Sequence, residues 1–174
     1  MQYTNTNDKK KFNKLLQKIA NKDKYAWEEF YKAYGRMIIL VAKLIVHKPD
    51  LVDEVKNDVL YKVWQFSLKK QYLDKPIGWL YTVITNCAKD KLKESEIYSE
   101  LYESIAIAKS VEPIEDNDEF IRQIKFLSED EQRILILKFT NGLTFKEIAS
   151  ELNSSTSTIS SVYYRALEKI KKNL

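Results

Sequence analysis

The chain has 174 residues, 44% of them hydrophobic and 31% charged, with a formal net charge of +4. One cysteine and one histidine leave no basis for a disulfide framework, a zinc cluster or a catalytic triad, so neither an enzyme nor a metal or other cofactor is expected. Three glycines and three prolines are too few for the regular turns of a sheet protein, and the composition predicts an all-α chain of long helices with few connections.

The first sixteen residues, MQYTNTNDKKKFNKLL, are polar and then basic, without the apolar run of a signal peptide. The first predicted helix follows, with Phe12, Leu15, Leu16 and Ile19 on one face. A second starts at Trp27, Phe30, Tyr31 and Tyr34 and continues through Ile38, Ile39 and Ala42. Its apolar stretch, MIILVAKLIV, is too short to span a bilayer and contains Lys43, so a cytoplasmic protein with no direct membrane insertion is expected. Pro49 and Asp50 mark a break and a new start, and Val52, Val55, Val59, Val63 and Phe66 line the next helix. The loop SLKKQYLDKP follows. Pro76 suits the first turn of a fourth helix, with Leu80, Val83, Ile84, Cys87 and Leu92 inward. Cys87 and His47 read as structural.

Charge divides the chain. Residues 1–94 hold 19 Lys and Arg against 11 Asp and Glu, a net of +8, whereas residues 95–127 hold 3 against 8, a net of −5. Residues 128–174 are nearly neutral, with 7 against 6. A basic first half suits a polyanion, although lysine-rich solvated faces are common on helices that bind nothing. The predicted organisation is a helical domain over 1–94, an acidic linker over 95–118 with a helical stretch at IYSELYESIAIA, and a helical domain over 119–174.

In that last segment Ser128 and Glu131 form one capping box, Asn141-Gly142 ends the helix, and Thr144 with Glu147 forms a second box. Ile148, Ala149 and Leu152 face inward, and Asn153 is the non-glycine residue best suited to a left-handed corner. Ser155 caps a final helix with Ile159, Tyr163, Ala166 and Ile170 inward. The pattern is that of a helix-turn-helix, and an ordinary helical hairpin shares it. Thr156, Ser157, Ser160, Ser161, Tyr164 and Arg165 point outward, so phosphate-derived affinity from this helix alone is low.

The string LSEDEQRILILKFTNGLTFKEIASELNSSTSTISSVYYRALEKI resembles region 4 of bacterial RNA polymerase sigma factors. Response regulators of the LuxR type share part of it. Upstream, AWEEFYKAYGRMI, VDEVKNDVLYKVW and GWLYTVITNCAKDKLKE resemble, in order and spacing, region 2 of the small, two-domain extracytoplasmic-function sigma factors. The resemblance implies two small helical domains joined by a linker, the second a helix-turn-helix domain of four helices. It also implies a chain that binds core polymerase, reads the −10 and −35 promoter elements and opens the promoter.

The resemblance gives roles to the matched positions. Asp53, Glu54, Asp58, Lys62 and Trp64 correspond to the surface that docks on the clamp helices of the polymerase's largest subunit, although a solvated charged face would look the same. Lys69, Lys70, Tyr72 and Lys75 lie in the loop that traps a flipped non-template base, a task for cations and a stacking ring. Trp79, Tyr81, Asn86, Lys89 and Lys93 fall on the −10 recognition helix, where Trp79 reads equally well as a stacking group or as core. Thr144, Lys146, Ser155, Thr156, Ser157, Thr158, Ser160, Ser161, Tyr164 and Arg165 fall on the −35 reader. That helix departs from the family in having Ser160 and Val162 where Lys or Arg is frequent, and Asn153 where Gly is frequent. The implied partners are core polymerase, including the flap of its second-largest subunit, promoter DNA and an anti-sigma factor, the free chain being monomeric. Two other readings share some of these features: a stand-alone helix-turn-helix regulator, and a sigma-like helical protein that occupies polymerase without recognising promoters.

Overall fold

The computed structural model describes residues 8–46, 48–103 and 119–173, with the backbone alone for residue 8 and residues 97–103. The described residues form eight α-helices and no strand. They are α1 (Asp8–Ala20), α2 (Ala26–Ile45), α3 (Pro49–Leu68), α4 (Pro76–Glu103), α5 (Glu119–Ile124), α6 (Glu129–Asn141), α7 (Phe145–Leu152) and α8 (Thr156–Asn173).

The apolar stripes read from the sequence are the ones that meet. Phe12, Leu15, Leu16 and Ile19 of α1 are buried, as are Phe30, Tyr34 and Ile38 of α2. Val52, Val55, Val59 and Val63 recur every three or four residues and seal α3 against α1, α2 and α4. Rings of Phe12, Phe30 and Tyr34 pack at centroid distances of 5.0–5.6 Å. Some expected inward positions differ at the margins. Phe66 is only half-buried while the neighbouring Ser67 is buried, its hydroxyl donating to the Trp64 carbonyl at 2.7 Å. Tyr31 lies exposed over Gly35.

The fourth helix does not stop at position 94. It runs on to Glu103, because the residues after Glu94 contain neither proline nor glycine to break it. The remaining linker positions, 104–118, lie outside the described residues, as does His47.

Both capping boxes form. The Ser128 hydroxyl accepts from the Glu131 N–H and the Thr144 hydroxyl from the Glu147 N–H, while each glutamate accepts from the cap residue's own N–H. Gly142 closes α6 at φ 64° and Asn153 closes α7 at φ 53°, both left-handed. The Thr158 N–H donates to the Ser155 hydroxyl at 3.0 Å, which starts α8. Tertiary packing adds what no local pattern indicates: the two sets of helices share one buried core, with α2 lying on α5 and α6, and α4 on α7.

Candidate nucleic-acid and polymerase interface

Between α3 and α4 the chain turns through residues 69–75 without regular structure, passing through a left-handed residue at Lys70 (φ 52°). Lys69, Lys70 and Tyr72 are exposed. The Lys9 ammonium lies 5.6 Å from the Tyr72 ring centre and pairs with Asp74, and this pairing holds the Lys9 pKa up and the Asp74 pKa down. Beside the loop, Trp79 is half-buried, 4.7 Å from the Phe66 ring and 6.2 Å from Phe12. Its remaining surface joins Lys62, Trp64, Phe66, Lys69 and Val83 around a shallow groove. One portion of the indole is therefore core and another lies exposed in the groove.

From the end of the loop and along α4, the second set of helices covers several of the residues matched to the −10 element. Lys75 donates to the Asn153 side-chain oxygen. The Gly78 N–H donates to the Glu151 carboxylate at 2.8 Å. The Arg133 guanidinium stacks 4.6 Å from the centre of the Tyr81 ring, whose hydroxyl burial pushes to a pKa of about 12. Lys89 faces Glu129 at 3.8 Å. Asn86 lines the cleft of about 210 Å³ between the two halves, and Lys93 stands exposed beyond it.

On α3, Glu54 and Asp58 do not simply face solvent. Both reach Lys91 of α4, at 3.3 and 3.6 Å, and Glu94 completes the cluster at 3.0 Å. Hydrogen bonds to Glu94 and Glu54 raise the Lys91 pKa. Asp53 pairs with Lys56 one turn on, and Lys62 is exposed. Trp64 is 41% exposed and packs on Tyr61, 56% exposed, with Leu68, 49% exposed, one turn further. Tyr61 and Leu68 were missed by the sequence reading. Their spacing of three and four around Trp64 was the available signal, a second apolar stripe on a helix whose valines already fill the core.

The outward face of α8 is as the helical pattern predicts. Thr156, Ser157, Thr158, Ser161, Tyr164 and Arg165 are exposed and Ser160 is half-buried. The Ser155 hydroxyl is shared with those of Ser157 and Thr158 at 2.9 and 2.7 Å. Thr144 is tied into its capping box, donating to Glu147 at 2.6 Å, while Lys146 is exposed. Phe145, Tyr163 and Tyr164 form an aromatic cluster behind this face. Lys169 pairs with the buried Glu131 at 2.7 Å. Burial works against the Glu131 charge, but Lys169 and the Ser128 cap hold its pKa below the ordinary carboxylate value.

The described residues contain no group of side chains arranged to hold a metal ion, and no helix among them is long and apolar enough to cross a membrane.

Comparison with known proteins agrees with this geometry. Residues 123–172 match the family model for sigma-70, region 4. A curated relative, the ECF RNA polymerase sigma factor SigK of Mycolicibacterium vanbaalenii, is 24% identical over 172 residues, covering 92% of this chain and 87% of the relative. Among solved structures, CnrH bound to the cytosolic domain of CnrY superposes with a TM-score of 0.61 at 16% identity, covering 92% of this chain and 94% of that one. The sigma factor RpoE bound to the anti-sigma factor NepR, from Bartonella quintana, superposes with a TM-score of 0.56 at 18% identity, covering 85% and 96%. Residues 123–172 thus carry sigma-70 region 4, and along nearly its whole length the chain is similar to RNA polymerase sigma factors of the extracytoplasmic-function type.

Proposed function

We propose that the basic first domain docks on core RNA polymerase through α3, reads and traps the −10 element through α4 and the loop before it, and leaves −35 contact to α8. The clamp helices of the largest subunit would receive the α3 face, and the flap of the second-largest subunit would hold the second domain. The observation that carries this reading is the division of labour on the surface. Lys69, Lys70 and Tyr72 stand together exposed on the basic half, whereas the α8 positions matched to the −35 reader offer hydroxyls, Tyr164 and one cation, Arg165, the lysines of α8 lying in its last turns. A reading face with one cation gains little from phosphates, so polymerase and the first domain would supply most of the affinity. Strand opening would draw on base capture by cations and an aromatic ring, without nucleotide hydrolysis or any enzymatic step.

The packing of α7 on α4 fits a free, closed state. Lys75, Tyr81 and Lys89 are engaged by the second domain. Promoter engagement would require the two domains to part, and polymerase docking would provide the compensating contacts. The solved relatives bound to CnrY and NepR make an anti-sigma factor a further partner to expect, acting on a cytoplasmic, monomeric chain.

Reconstitution with core polymerase, followed by selection of transcribed promoters from the source genome, tests the reading. Specific initiation at a recurring two-element promoter is the expected result, and no initiation from any fragment sinks it. Within that assay, Arg165→Ala should lower promoter use broadly, while Ser157→Ala or Ser160→Ala shifts −35 preference modestly.

A further inference from the structure

Asn13 is one of three polar or charged residues buried among the described residues, and it sits within the apolar stripe of α1. A carboxamide there is costly unless its hydrogen-bonding groups are satisfied. Its amide nitrogen donates to the Lys9 carbonyl at 2.8 Å and to the Leu73 carbonyl at 2.9 Å, and its oxygen accepts from the Leu73 N–H at 2.8 Å. Both donors and the acceptor are used, and two of the three bonds grip the backbone of one residue in the loop between α3 and α4.

These two bonds tie the backbone of Gln71–Asp74 to the rest of the fold. On either side the chain is held by its own helices: the Lys69 and Lys70 N–H groups donate to Phe66 and Ser67, and the Trp79 N–H donates to Lys75. One turn earlier on α1, Lys9 pairs with Asp74 and lies over Tyr72. A groove of about 250 Å³ runs between α1 and the loop, lined by Asn13, Gln17, Ser67, Lys70 and Tyr72 among others. The loop would hold its shape poorly by itself, because Lys70 is a non-glycine residue in the left-handed region.

We propose that Asn13 is a positioning residue for strand opening: its grip on Leu73 holds Tyr72 in place, beside the helix-held Lys69 and Lys70, to receive an unstacked base of single-stranded DNA. The proposal rests on the reading of residues 67–76 as the base-trapping loop. A loop fixed beforehand spares the ordering cost at the moment of capture, and stacking on an ordered ring is worth enough to move an opening equilibrium. A leucine at position 13 would suit the apolar stripe better. The loop explains why an asparagine stands there.

The test uses the reconstituted holoenzyme with a promoter chosen by the wild-type protein, either fully duplex or pre-melted by mismatches across the −10 segment. Asn13→Ala should slow open-complex formation on the duplex by roughly tenfold, the scale of one lost base stack. Competition for core polymerase and initiation from the pre-melted template should stay at wild-type levels, while discrimination among the four bases at the trapped position weakens. Asn13→Leu keeps the side chain's bulk without its bonds, so it should fold at least as stably and show the same opening defect. Equal losses on both templates with both variants would make Asn13 merely structural and overturn the proposal. If Tyr72→Ala slows opening but neither Asn13 variant does, this inference fails and the loop reading stands. If Tyr72→Ala, Lys69→Ala and Lys70→Ala are also without effect, the loop reading itself fails.

Discussion

Glu151, in the last turn of the first helix of the helix-turn-helix, accepts a hydrogen bond at 2.8 Å from the backbone N–H of Gly78, in the first turn of α4. The carboxylate of the second domain thus occupies the amino-terminal end of the helix matched to the −10 element. The two surfaces proposed to reach separate promoter elements meet at this contact.

Gly78 is what lets them meet. A Cβ at this position would lie 2.9 Å from the Glu151 carbonyl oxygen, a backbone atom that cannot swing aside. Gly78→Ala should therefore separate α7 from α4 while favouring α4 itself by up to about 1 kcal/mol. Small-angle scattering of the free chain should show a larger radius of gyration, with core-polymerase affinity equal to the wild-type value or higher, since opening no longer opposes docking. An unchanged radius would mean that the contact can slide to accommodate a methyl group.

The same contact should respond to pH. Burial raises the Glu151 pKa, against the opposing pull of the Gly78 and Ile77 N–H groups, and Asp74 and Lys75 are the charged neighbours acting on it. A raised value in the closed form means that closure binds a proton. The contribution is full below the ordinary value of 4.5 and is lost as pH rises through the raised value. Asp74 and Glu131 have lowered values, so their contributions are present above 3.8 and 4.5 and fade as pH falls through those lowered values. Energy transfer between labels on the two domains should report a tighter closed state on acidification from neutral to about pH 5, before the lowered carboxylates titrate. Glu151→Gln keeps an acceptor for Gly78 and should remove that dependence. Persistence of the dependence in this variant would assign it to another group.

The exposed stripe on α3 makes a different forecast. Glu54 and Asp58 already share Lys91, whereas Trp64, Tyr61 and Leu68 together leave a large apolar surface exposed. Exposed aromatic anchors dominate interface energy more often than rim charges do. Trp64→Ala should raise the Kd for core polymerase by roughly tenfold or more, about 1.4 kcal/mol. Asp53→Asn should change mainly the salt dependence of association. Titration of labelled chain with core polymerase at two ionic strengths measures both, and equal effects of the two variants would refute the anchor role.

The sequence by itself determined what is local. Helix faces, both capping boxes, the left-handed corner at Asn153 and the outward face of α8 all follow from spacing of three or four residues and from the chemistry of caps, which need no knowledge of distant chain. It also carried the basic first half and the loop cations, because charge is counted rather than folded. Tertiary structure decided what joins residues far apart. Asn13 reads as an imperfection in an apolar stripe until Leu73 is brought beside it, 60 positions away. Glu151 reads as an ordinary surface glutamate until Gly78 arrives across 73 positions. Tyr61 and Leu68 were legible in their spacing around Trp64, but how much of each side chain stays exposed was decided by the packing of α3 on its neighbours. A buried polar group or a close backbone approach has its physical cause in its partner, and the partner is specified by the fold.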